Sequence, residues 1–316
     1  MKKIIFLFLT LFFNLSSISA QDNQQYCLTG AFLADNPSQE DILKFKNAFG
    51  KKPYLVMVFL DWGDFPDKKV IADVYGQNCA LIVTWEPWDT RTKEGIDFDG
   101  LVSGKFDSYI REFALRLKRI KKPVFLRFAH EPNGNWYPWR GEKIGKDKYI
   151  ALYRRIHDIF REVGAANVNW VFCVNWEDVP KDNNSFLLYY PGNDYVDYIG
   201  LDGYNWGDTQ SWSRWMSFSE LFSRRYKEIN QAFNKPILIT EFSSVSRGGD
   251  KGSWIRQAFS EIRGMDKIRG FVIFNVNKEG DWGFKEGTLA GAALKDSLGD
   301  GYFRETRYNN KHEQPK

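Results

Sequence analysis

Val124-Phe125-Leu126-Arg127-Phe128-Ala129-His130-Glu131-Pro132-Asn133-Gly134 is the stretch on which the reading of this chain turns. Its first half is a short apolar run, the pattern of a strand covered on both faces. Its second half is polar and ends in a turn signal, and Trp136, Tyr137 and Trp139 follow at once. A strand that delivers a carboxylate to its end and opens onto aromatic rings suits sugar chemistry, in which an acid cleaves and rings stack. The structural alternative is a Glu buried against Arg127 beside core aromatics, since ion pairs without a catalytic role look the same in sequence. Taken alone, the stretch does not separate the two.

Seven further apolar runs share this character, at 30–33, 54–60, 80–84, 168–174, 195–201, 237–240 and 271–274. Helical stripes lie between them. Ser38 is placed to cap a helix that aligns Ile42, Phe45 and Ala48. Ile110, Phe113, Ala114 and Leu117 make a second stripe. Ile150, Tyr153, Ile156, Phe160 and Val163 make a third, closed by Gly164. Leu221, Tyr226, Ile229 and Phe233 make a fourth. Each reads as core packing. Eight strands with interleaved helices predict an α/β fold, a single (β/α)8 TIM barrel with its substrate cleft at the C-terminal ends of the strands. An open doubly wound sheet is the alternative, weakened because no Gly-x-Gly-x-x-Gly turn follows the first strand.

In such a barrel the chemistry sits where the strands end. The third run ends Thr84-Trp85-Glu86-Pro87-Trp88, and the fifth ends Asn175-Trp176. The sixth ends Asp202-Gly203-Tyr204-Asn205-Trp206, the seventh Thr240-Glu241-Phe242-Ser243, and the eighth leads to Asn275, Asn277 and Trp282. Glu131 and Glu241 close the fourth and seventh strands, which face one cleft from nearly opposite sides. Sugar hydrolysis needs such a pair, one protonated and one ionised, and surroundings can push their pKa values apart. Spacing does not say which Glu takes which part.

The blocks Arg127 to Trp139, Ile199 to Trp206, Ile239 to Phe242 and Thr84 to Trp88 together resemble glycoside hydrolase family 26, in the family's order. The resemblance implies a retaining (β/α)8 endo-β-glycanase, with Glu131 as acid/base and Glu241 as nucleophile. It implies that His130 and Tyr204 hydrogen-bond near the nucleophile and the reacting sugar, and that Arg127 orients carboxylates from below. Trp85 and Trp136 would line subsites, Asp202 would support the cleft, and Trp282 would be a sugar platform. Pro132 departs from the pattern, which often has Met there. The resemblance puts β-1,4-mannan first as substrate, with mixed-linkage β-1,3-1,4-glucan and β-1,3-xylan as alternatives. A non-catalytic carbohydrate-binding barrel is the alternative of another class, expected to lack one Glu of the pair. No cofactor is implied.

Composition frames these expectations. The 316 residues carry 44 Lys and Arg against 40 Asp and Glu, a net charge of +4, which does not suggest a nucleic-acid partner. Lys2 and Lys3, the apolar run to Phe13 and the small residues ending at Ala20 form a secretory signal, giving a signal peptide at 1–20, a catalytic domain at 21–308 and a polar tail at 309–316. The signal run is too short to span a bilayer, so export to the periplasm or beyond is expected, without membrane insertion. The expected partner is a β-glycan polysaccharide or oligosaccharide, met by a monomer. Cys27, Cys79 and Cys173 are no disulfide framework, although Cys27 and Cys79 could pair in an exported chain. His130-Glu131 does not begin a zinc-protease helix, because position 134 is Gly. Aromatics reach 17% with 12 Trp, a supply that sugar sites draw on as well as cores.

Overall fold

The computed structural model describes residues 25–306; the expected signal segment and polar tail lie outside the described residues. Eight parallel strands close into a barrel: β1 (Gly30–Phe32), β2 (Leu55–Asp61), β3 (Ala80–Glu86), β4 (Val124–Phe128), β5 (Val168–Asn175), β6 (Tyr198–Asn205), β7 (Ile237–Ser244) and β8 (Ile268–Phe274). Each pairs with the next, and β8 returns to β1 through Ile273 beside Ala31 and Phe274 beside Phe32. The runs are continuous rather than alternating because both faces are covered, one by helices and one by the barrel interior. β3, β6 and β7 run further than their apolar segments suggested, carrying Glu86, Tyr204 and Glu241 within strands rather than in loops.

Seven helices surround the barrel among the described residues, apart from two shorter ones at Phe98–Ser103 and Gly141–Ile144. They are α1 (Gln39–Phe49), α2 (Lys68–Gly76), α3 (Asp107–Arg119), α4 (Lys146–Val163), α5 (Phe218–Ala232), α6 (Lys251–Gly264) and α7 (Leu289–Gly299). Between β5 and β6 the crossover has only two 3-10 turns, Phe186–Tyr189 and Asn193–Tyr195. α1 opens on a reciprocal capping box between Ser38 and Asp41, and its buried face is Ile42, Phe45 and Phe49, the last taking the place expected of Ala48. α4 stops at Gly164, which turns left-handed with φ 73°.

Short strands at Cys27–Leu28 and Phe303–Arg304 extend the sheet outside β8. Cys27, Cys79 and Cys173 are all buried and unpaired, so the Cys27–Cys79 bridge is not formed. No helix among the described residues is long and apolar enough to cross a membrane.

Ser38→Ala removes the acceptor for the Asp41 amide at the start of α1. The expected loss is about 1 kcal/mol, read as a melting temperature ~2–4 °C lower. An unchanged melting temperature would show that the cap does not contribute.

Candidate active site

Arg127 is the one cation inside the upper barrel among the described residues, and it has no solvent exposure. Its guanidinium donates to Asp202 on β6 and to Glu241 on β7, and its Nε donates to Thr84 Oγ1 on β3 at 2.9 Å. Asp202 also accepts from Thr240 Oγ1 and from the Cys173 thiol at 3.0 Å. Burial alone would discharge Arg127, and the two carboxylates more than reverse that. Burial raises Asp202 to about 7, with Arg127 opposing only part of the rise. Cys173 is a donor in this network: burial raises its pKa far enough to keep the S–H.

Glu241 reaches the cleft through a break in register. Ile239 stands beside Leu201 and Glu241 beside Asp202, so Thr240 is one residue extra on β7. Such bulges re-aim side chains next to active sites. Glu241 accepts from Arg127 at one oxygen and from the Tyr204 hydroxyl at the other. Tyr204 keeps its proton, its pKa pushed up by burial and by Glu241 itself.

Glu131 is delivered by a bent backbone. Ala129 and Glu131 both hold positive φ, 45° and 52°, at a cost of about 1–3 kcal/mol each for residues other than Gly. Hydrogen bonds from both flanking strands and from α4 hold the bend: Ala129 N–H to Trp85 C=O, Glu131 N–H to Cys173 C=O, and Tyr149 O–H to Ala129 C=O at 2.8 Å. The carboxyl accepts from Asn175 Nδ2 and from Trp136 Nε1, both at 2.8 Å. Burial raises its pKa to about 8, with Asp202 and Glu241 adding to the rise. Asn133 positions this arrangement, its amide bonding Asn175 C=O at 3.1 Å while its carbonyl accepts from the Asn175 N–H. Sequence reading placed both Asn residues at the ends of adjacent strands but gave neither a role.

His130 lies beside these groups, its Nε2 at 2.9 Å from the Tyr137 hydroxyl. Burial and then Arg127 lower its pKa well below the usual range, so the ring is neutral. Ligand-type atoms of His130, Asp202 and Glu241 lie within 4.8 Å of one another. The cation already held by both carboxylates is Arg127.

A cleft of about 1650 Å³ opens over these side chains, lined by Glu86, Trp88, Glu131, Trp136, Asn175, Trp176, Tyr204, Trp206, Trp212, Glu241 and Trp282 among others. Trp136 is 43% exposed, and Gly134 makes room for it: a Cβ there would stand 2.4 Å from the indole. Two expected rings are placed differently. Trp85 does not line the cleft; it is fully buried, stacked between Trp62 at 4.8 Å and Phe113 at 4.0 Å. β3 turns this side chain outward to its helix layer, and Trp88 is the ring from that loop that faces the cleft. Trp282 lines the cleft but is 1% exposed, wedged against Tyr204 and Trp206, so it backs other rings instead of offering a face.

Two further groups were read too lightly in sequence. Glu86, at the end of the third run, lines the cleft with its pKa raised by burial to about 7, partly offset by the Trp88 N–H at 3.0 Å. Lys251, at the start of α6, is buried with its ammonium against the carbonyls of Asp281, Trp282 and Gly283. It pins the loop that carries Trp282.

The family model for glycosyl hydrolase family 26 matches residues 88–247. Endoglucanase H of Acetivibrio thermocellus is 41% identical over 94% of this chain, which spans 33% of that protein. A mannan endo-1,4-β-mannosidase of Bifidobacterium adolescentis is 28% identical over 48% of the chain and 16% of its own length. The chain thus spans a third or less of these two relatives. Among solved structures, a Cellulomonas fimi endo-β-1,4-mannanase double mutant superposes with a TM-score of 0.67 at 16% identity, covering 88% of this chain and 72% of that one. Its fold is the same (β/α)8 barrel.

Arg127→Met leaves Asp202 and Glu241 buried without their cation, an expected loss of about 3–5 kcal/mol. Asp202, already raised by burial, would lose the cation that opposes the rise, so the folded state takes up a proton and the deficit shrinks as pH falls. Urea unfolding at pH 8 and pH 5 checks this; an equal deficit at both would refute the charge argument.

Proposed function

The chain belongs to glycosyl hydrolase family 26, and on that premise we propose that it is a retaining endo-β-glycanase working through Glu131 and Glu241. The observation that carries the reading is the opposite surroundings of two carboxyls that line one cleft. Glu131 accepts only from neutral donors and has its pKa raised to about 8, so it holds a proton at neutral pH. Glu241 instead takes its hydrogen bonds from the Arg127 guanidinium, a fixed cation, and from the Tyr204 hydroxyl. Glu241 attacks the anomeric carbon while Glu131 gives its proton to the leaving oxygen. Glu131 then takes a proton from water, whose oxygen displaces Glu241 and releases the sugar with its configuration kept. Arg127 and Tyr204 hold Glu241 in place, and neutral His130 and Asp202 frame the site. This chemistry uses side chains alone.

For substrate, the long match to an endoglucanase moves β-glucan, in its mixed-linkage form first, ahead of the β-1,4-mannan that motif reading favoured. Mannan is retained as the second reading because a mannosidase is among the relatives. Export after cleavage near Ala20 is part of the proposal; amino-terminal sequencing of secreted protein should begin near Gln21, and a start at Met1 would overturn it.

Lichenan, carboxymethylcellulose, galactomannan and β-1,3-xylan, each followed by product sizing, test the activity. Mixed oligosaccharides from lichenan are expected; oligosaccharide binding with no product from any polymer would favour a non-catalytic barrel. The first product observed by NMR should keep the β configuration. Glu241→Ala should abolish turnover while the protein still folds, at a lowered melting temperature because Arg127 keeps only one of its two carboxylates. Glu131→Gln should lower kcat by ~10²–10⁴-fold on natural glycans. Because Glu131 works as an acid only while protonated, wild-type kcat/KM should fall as pH rises through about 8, and this limb should vanish in Glu131→Gln.

A further inference from the structure

Trp212 is 70% exposed, far more than any other indole among the described residues, yet it lines the same cleft as the two carboxyls. Large exposed rings on a soluble surface mark binding sites. From Tyr204, which bonds Glu241, the rings proceed outward: Tyr204 to Trp206 at 6.4 Å between centroids, then Trp206 to Trp212 at 5.5 Å.

The loop that carries Trp212 is built rather than slack. The buried Asn205 carbonyl accepts from both ends of it, Gly207 N–H at 3.2 Å and Met216 N–H at 2.9 Å. Ser244 Oγ fixes the Asn205 amide at 2.9 Å. Ser213, next to Trp212, donates from its hydroxyl to Gly207 C=O at 2.6 Å. Gly207 holds φ 49°, and a Cβ there would stand 1.9 Å from the Arg247 carbonyl oxygen, so the loop enters along a path open to Gly alone. The backbone of the Trp212 loop is thus fixed before any ligand arrives, which lowers the cost of binding.

We propose that Trp212 is a remote sugar subsite, stacking a pyranose unit of the same β-glycan chain beyond those held at the bond being cleaved. Equatorially linked pyranoses present flat C–H faces that an indole covers, and the cleft is continuous from Glu241 to this ring. The inference rests on the β-glycan reading above and adds to it a station that only long chains reach.

The test measures kcat and KM for wild type, Trp212→Ala and Trp212→Phe on a soluble polymer and on a short aryl oligosaccharide. Losing one ring face of apolar contact should raise KM for the polymer about tenfold with kcat unchanged. The short substrate should be cleaved at the wild-type rate, and Trp212→Phe should recover most of the polymer KM. Wild-type polymer kinetics in Trp212→Ala would overturn the subsite, as would an equal loss on both substrates. A dimer in solution that Trp212→Ala dissolves would also overturn it, showing that a second copy covers the ring. A wild-type enzyme inert on every β-glycan would be a different failure, that of the functional reading itself.

Discussion

The site depends on one buried cation. Arg127 lies inside the barrel with no water to solvate it, and its five N–H donors must be met by protein. Thr84, Asp202 and Glu241 meet three of them from β3, β6 and β7, the sulfurs of Cys173 and Met57 take the other two, and Cys173 and Thr240 also donate to Asp202. Strands that are neighbours only through backbone ladders are thereby joined across the interior as well. The upper barrel is consequently polar, and Glu241 is anchored before substrate arrives.

The same cation stands differently to the two carboxyls. It touches Glu241 directly and reaches Glu131 only at a distance, while Asn175 and Trp136 give Glu131 neutral hydrogen bonds. Two identical side chains in one cleft are set apart by their nearest donors. The bulge at Thr240 and the left-handed turn at Ala129 and Glu131 are the backbone features that aim the pair.

Much of this was legible in sequence, for identifiable reasons. Continuous Val, Ile, Leu and Phe runs mark strands buried on both faces, so the eight barrel strands stand out. Glu131 and Glu241 stand out because each ends such a run. Strand ends were less visible: Asp202-Gly203-Tyr204-Asn205 continues β6, but polar side chains facing the barrel interior imitate a loop. Trp85 misled because alternation decides which way a strand residue points, and a Trp in a motif carries no sign of its face. Lys251 was unreadable because its partners are backbone carbonyls from a distant segment, which leave no residue pattern.

The Lys251 ammonium gathers the carbonyls of Asp281, Trp282 and Gly283, and carbonyls are common to every residue type. The wall of the cleft after β8 is therefore shaped by a contact indifferent to the side chains that the wall displays. Its path and its surface chemistry are separable. A lineage is free to replace the residues facing the sugar while one lysine keeps the loop where it is, which makes this edge of the barrel a ready place for substrate preference to drift.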